Sequence, residues 1–157
     1  MGDFSQRRQQ WWWRVHGKGG SHADIPVSDE LMAAMALGVN AIEIDRTKPD
    51  IVFAGTTKGL FRTVDKGEHW ERIGQSLTDP FISSVVLHPT DSSLLYLGGP
   101  GGVWKSSDRG KTWQAMSQGL TTLNIRALAM APTNSQILYA GTNGSGVTTQ
   151  PAVSYCK

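Results

Sequence analysis

The sequence predicts an all-β fold made of repeated four-stranded antiparallel sheets, the blades of a β-propeller. Three observations predict it. An eight-residue stretch is written twice at an offset of 43 residues, as Thr63-Val64-Asp65-Lys66-Gly67-Glu68-His69-Trp70 and Ser106-Ser107-Asp108-Arg109-Gly110-Lys111-Thr112-Trp113. The same offset pairs Ile42 with Val85 and Leu128, Phe53 with Tyr96 and Tyr139, and Gly55 with Gly98 and Gly141, with no gap across the first two copies. Each full copy also carries four short apolar or alternating runs separated by Gly, Pro, Asn and Asp, and a period of ~40–45 residues with four strands each marks a propeller blade.

The first forty residues stand outside this repeat. Residues 1–24 are Gln-, Arg- and Gly-rich around Trp11-Trp12-Trp13 and read as irregular. The aromatic triplet flanked by Arg and Lys could serve as an interfacial anchor, but no amphipathic period supports that role. A short helix is expected over 29–37, with Ser28 as its N-cap and Asp29-Glu30 in its first turn. Residues 1–40 are therefore expected as an irregular N-terminal segment with that helix, or an eroded repeat remnant over Leu31–Leu37, as its one regular element.

The first blade spans 41–84, the second 85–127, and a partial third 128–157. In each, strand one alternates with period two (Ala41–Asp45, Ser84–His88, Ala127–Ala131) and is closed by Pro49, Pro89 or Pro132. Strand two is a short apolar run ending at glycine (Ile51–Ala54, Leu94–Leu97, Ile137–Ala140). Gly59–Arg62 and Gly102–Lys105 form strand three, and Trp70–Ile73 and Trp113–Met116 leave the repeated turn as strand four. The Asp carboxylate of that turn is placed to accept backbone N–H groups, the Gly to take a positive φ, and the Trp to anchor the next strand. In the third copy Pro151 or Ala152 stands at the Asp register and Cys156 or Lys157 near the Trp register, so the pattern decays after Val147.

These residues resemble the Asp-box, or BNR, repeat S/T-x-D-x-G-x-x-W, and the preceding Y-x-G and G-V-[FW]-[KR] strands match as well. Ser106–Trp113 fits throughout; Thr63–Trp70 fits with His69 where the family more often has Thr or Ser. The resemblance covers about residues 40–147. It implies propellers such as sialidases, sortilin-type receptors, xyloglucan hydrolases and the photosystem II stability/assembly factor family. It also implies that the box is a folding element on the blade rim, remote from any active site. Thr63, Asp65, Gly67, Trp70, Ser106, Asp108, Gly110 and Trp113 are then structural.

Composition narrows the function. A net charge of +2 with 18% charged residues makes no field that points to a nucleic acid. The single Cys156 excludes an internal disulfide framework and any CxxC metal site. No run of ~18 apolar residues spans a membrane. Arg7 and Arg8 are followed by three Trp and more basic residues, so no signal peptide is expected in this reading frame and a cytoplasmic location is the default. Two blades and part of a third fall short of the ~4–8 that close a propeller. The decayed third copy points to a fragment or a degraded frame, with self-association of several chains the other route to a ring.

No residue set presents itself as catalytic, cofactor-binding or metal-binding. His88, at a strand end, matches Asp45 and Ala131 in the other copies, and His69 reads as an exposed ring at a turn. Gly98-Gly99-Pro100-Gly101-Gly102 resembles a phosphate cradle only by glycine count, because Pro100 removes a donor and no helix pattern follows. Gly110-Lys111-Thr112 imitates the end of a P-loop, but Lys105 stands where the first Gly is required. Asn143-Gly144-Ser145 reads as a turn, and as a glycosylation sequon only in a secreted chain. Arg46, Arg62, Arg72, Arg109 and Arg126 are scattered along the chain, without the arginine cluster a sialidase needs. The sequence thus favours a non-catalytic scaffold or protein-binding module with no cofactor. A fragment of a sialidase-like or xyloglucanase-like hydrolase is the alternative. A protein or a carbohydrate is the expected partner.

Overall fold

The computed structural model describes residues 3–7, 10–16, 22–27, 38–77, 81–144 and 146–151. Among them there is no helix, and fourteen strands make four antiparallel sheets. The expected helix over 29–37 and the thiol of Cys156 lie outside the described residues.

The N-terminal segment corrects the sequence reading. Strands β1 (Asp3–Arg7), β2 (Gln10–His16) and β3 (His22–Val27) form a three-stranded sheet in the order β1-β2-β3. Residues read as irregular are extended because Trp11–Trp13, Val15, Ile25 and Val27 are strong strand formers, and that preference outweighs the Gln, Arg and Gly around them. Trp12 pairs with Ser5 on one side and Pro26 on the other. Pro26 sits on an edge strand, where its missing N–H costs no ladder bond.

The two repeat copies each form a four-stranded sheet: β4 (Val39–Ile44), β5 (Val52–Thr56), β6 (Gly59–Thr63) and β7 (Glu71–Ile73), then β8 (Ser84–Leu87), β9 (Leu95–Gly99), β10 (Gly102–Ser106) and β11 (Gln114–Ala115). The third sheet of the repeat contains β12 (Ile125–Ala131), β13 (Asn134–Thr142) and β14 (Gly146–Pro151). Its last strand continues through Thr148–Pro151, past the point where the sequence pattern decays, and pairs residue by residue with Ile137–Thr142.

Stacking follows from the period-two alternation of side chains. Phe53 and Leu60 leave one face of the first sheet and pack with Ile82, Val85, Leu87, Leu95 and Leu97 of the second. Tyr96 and Val103 leave the opposite face of the second sheet and pack with Ile125, Leu128, Leu138 and Ala140 of the third. Glycines set the closeness of these contacts. A Cβ on Gly55 would lie 2.7 Å from Ile82 Cγ2, and one on Gly98 the same distance from Ile125 Cγ2. Polar side chains tie the layers as well: Asn40 Nδ2 donates to Ile82 O at 2.9 Å and Ser83 Oγ to Ile125 O at 2.6 Å. The first strands β4, β8 and β12 converge along one edge of the stack, while β7 and β11 lie at the other.

Candidate functional site

The eight residues singled out in the sequence build two hairpin turns of one design. Thr63 and Ser106 are fully buried, and each hydroxyl donates to the box Asp (2.7 and 2.8 Å) while accepting the glycine N–H of Gly67 or Gly110 (2.9 and 2.8 Å). Asp65 Oδ1 takes the N–H of His69 at 2.9 Å, and Asp108 Oδ1 those of Lys111 and Thr112 at 3.0 and 2.8 Å. Trp70 and Trp113 close the turns by donating Nε1–H to Gly67 O and Gly110 O, each at 3.1 Å.

Positive φ is shared by two residues of each turn. Lys66 and Arg109 both have φ of 62°, followed by Gly67 at 98° and Gly110 at 84°. Two consecutive positive φ values are what a type I′ turn requires. The strained non-glycine residue is held by its N–H, which bonds Asp50 O in the first copy and Ser93 O in the second, at 3.0 and 3.1 Å.

His69 has a more specific place than an exposed ring at a variable turn position. Its Nδ1 lies 2.6 Å from Asp65 Oδ2, where Thr112 Oγ1 lies 2.5 Å from Asp108 Oδ2. The imidazole thus replaces the hydroxyl of the second copy. Burial alone would raise the Asp65 pKa, but the hydrogen bonds from His69 and Thr63 outweigh it and hold the group at about 2. Thr112 side-chain and backbone bonds lead in holding Asp108 at about 2. Both carboxylates are ionised, and their lone pairs are taken up by their own turns. Ligand atoms of Asp65, Glu68 and His69 fall within 4.8 Å of one another, a spacing an ion could bridge, although Lys111 and Thr112 replace the last two in the second copy.

A different chemistry appears where β4, β8 and β12 end. A cleft of ≈ 280 Å³ there is lined by Glu43, Arg46, His88, Met130 and the prolines Pro89 and Pro132, with Val86, Leu87 and Ala131. Burial raises the Glu43 pKa, against a backbone hydrogen bond from Leu87 and the attraction of Arg46. Beside the cleft Asp45 is buried, and its Oδ1 accepts from Thr47 N and Oγ1 and from Lys48 N, which fixes the turn after β4. Glu43 escaped the sequence reading, which took Arg46 only as one of the scattered arginines. Their signal was departure from the repeat: Glu43 stands where the other copies have Val86 and Ala129, and Arg46 where both have proline.

The arginines are not all scattered. Arg62, Arg72, Arg109 and Lys111 border one groove between the first and second sheets, together with Glu71, the cross-strand neighbour of Arg62. Arg62 Nε donates to Glu71 Oε1 at 2.9 Å and its Nη1 to Arg109 O at 3.2 Å. Sheet stacking brings together side chains that the sequence separates. The glycine-rich run, in contrast, is the β9–β10 hairpin, with Gly102 at φ of 107° and Gly99 against Phe81 O. No helix of the described residues is long and apolar enough to cross a membrane.

Comparison with known proteins bears on the family and the fold. A family model, Sortilin-Vps10, described as sortilin, neurotensin receptor 3, matches residues 58–157. A search of the curated proteins found no match. Among solved structures, a GH74 enzyme of Niastella koreensis superimposes with a TM-score of 0.64 at 19% identity, over 90% of this chain and 26% of that one. The GH74 xyloglucanase of Xanthomonas campestris gives 0.62 at 16% identity, over 92% and 27%. YCF48 from Cyanidioschyzon merolae gives 0.58 at 16% identity, over 90% and 44%. At these identities the likeness is one of fold, and the chain spans about a quarter of the GH74 chains and less than half of YCF48.

Proposed function

The chain belongs to the Sortilin-Vps10 family, and from that premise we propose that it is a non-catalytic propeller segment whose cleft at the ends of β4, β8 and β12 binds extended peptide. The observation that carries this reading is where the repeat copies diverge. The box residues are consumed in holding their own hairpins, whereas Glu43, Arg46 and His88 break the repeat and meet at one cleft beside the apolar Met130, Pro89 and Pro132. A concave site with a few convergent polar groups on apolar walls suits recognition of a peptide segment. A fold neighbour, YCF48, has been solved bound to D1 peptide, which is consistent with this use of the fold.

The GH74 likeness favours a second reading, a piece of a glycoside hydrolase. Such chemistry needs two carboxyl groups about 5–9.5 Å apart across the scissile bond. Glu43, with its raised pKa, could be one, and it is the single carboxylate lining the cleft among the described residues. One preparation of the chain tests both readings on a peptide array and on xyloglucan. Peptide binding weakened at least tenfold by Arg46→Ala, with no sugar release, is the expected result. Reducing-sugar release that disappears in Glu43→Gln would establish the hydrolase instead.

A further inference from the structure

The cleft at the ends of β4, β8 and β12 holds two opposite charges that do not meet. Glu43 is half-buried on β4 and Arg46 is exposed just beyond it, and neither forms an ion pair with a described residue. Glu43 pairs across the ladder with Phe53, so it shares the face that the first sheet lays against the second. At that position the other two copies have Val86 and Ala129, so the strand packing there is built for an apolar side chain. A carboxylate at an apolar position of the repeat lowers stability, and local costs of this kind gather at functional sites.

A backbone hydrogen bond from Leu87 reaches the Glu43 carboxylate. A carboxylate has about four lone-pair positions, so accepting capacity remains for a ligand. A metal ion suits the site poorly. Glu43 is the single carboxylate lining the cleft among the described residues and His88 the single imidazole, whereas calcium takes ~6–8 oxygens and zinc about four ligands. An organic cation fits better. The stem of a lysine or arginine can lie along Met130, Pro89 and Pro132 while its charged head reaches the carboxylate. Arg46 borders the same space, where it opposes a second cation and attracts an acidic group.

Resting on the peptide-binding reading of this cleft, we propose that it selects segments of mixed charge, with a basic side chain seated on Glu43 and an acidic side chain two positions away seated on Arg46. Two positions is the spacing at which an extended peptide presents both side chains on one face. The segment is therefore Lys-x-Glu, or its equivalent with arginine or aspartate in the same roles. A neutral or purely acidic segment leaves Glu43 without a partner, and a purely basic one meets Arg46.

A double-mutant cycle between protein and ligand tests the assignment. The probe is the peptide Ala-Ala-Lys-Ala-Glu-Ala-Ala, acetylated and amidated so that no terminal charge competes, and titrated with the full chain by NMR. Replacing its lysine by norleucine keeps the stem and removes the charge. That change should weaken binding about tenfold in the parent chain and less than about twofold in Glu43→Gln. Replacing the peptide glutamate by glutamine should weaken binding to the parent chain but not to Arg46→Ala. Equal losses in the parent chain and in a folded Glu43→Gln protein would overturn the proposal. No binding of the probe at about millimolar concentration, or a norleucine peptide bound equally well, would overturn it without any variant. Binders on the peptide array that carry no basic residue would also overturn it, while leaving peptide binding itself standing. An array without binders would remove the peptide-binding reading and the proposal together.

Discussion

At the scale of single residues the box is a small hydrogen-bond device whose buried hydroxyl does the central work. Ser106 Oγ donates to Asp108 and accepts from Gly110 N, so removing it leaves a buried N–H without its partner. Ser106→Ala should cost about 1–3 kcal/mol in chemical denaturation. Ser106→Thr should be close to neutral, because Thr63 makes the same two bonds in the first copy. Acid should act through the carboxylates. With folded pKa values of about 2, below the ordinary aspartate range, Asp65 and Asp108 favour the folded state above pH 4 and lose that contribution as pH falls toward 2. Melting temperature followed from pH 5 to 2 should fall less steeply in Asp65→Asn than in the parent chain. Parallel curves would mean that the carboxylate is not held as described.

At the scale of strands and hairpins, the two box tryptophans separate. Trp70 is buried while Trp113 is half-buried against the core between the first and second sheets. Trp70→Ala should cost about 3–5 kcal/mol as a core truncation, and Trp113→Ala less. Equal losses measured by denaturation would contradict that ranking. Glu43 belongs to the same scale, since β4 and β8 partly bury it. Its raised pKa means that ionisation opposes folding above the ordinary glutamate range. Glu43→Gln should therefore raise the melting temperature at pH 7, with the gain shrinking below pH 4.

What the sequence disclosed, and what it hid, follows from the same physics. The repeated strands and the box were legible because turn chemistry and alternation are local and written twice. Strands β1 to β3 were not, because they have no counterpart at the 43-residue offset and their Gln and Arg content masks the strand preference of Trp11–Trp13. The grouping of the cleft residues was hidden for another reason. Glu43 and His88 come from different sheets, and Arg62 meets Arg109 only through stacking. Such groupings exist in the tertiary arrangement alone, and the pattern shows them only as exceptions to a repeat.

At the scale of the whole molecule, the protein is a stack in which each repeat sheet covers one face of its neighbour. Stability in such arrays is set by nearest-neighbour interfaces. The second sheet has a core on both faces, whereas the third exposes Tyr139 and Val147. Native-state hydrogen exchange measures this directly, because protection tracks local burial and contact. The slowest amides should be those of β9 and β10, with the β13 and β14 amides exchanging at least tenfold faster. Protection in β13 and β14 equal to that in β9 and β10 would contradict the one-sided stack.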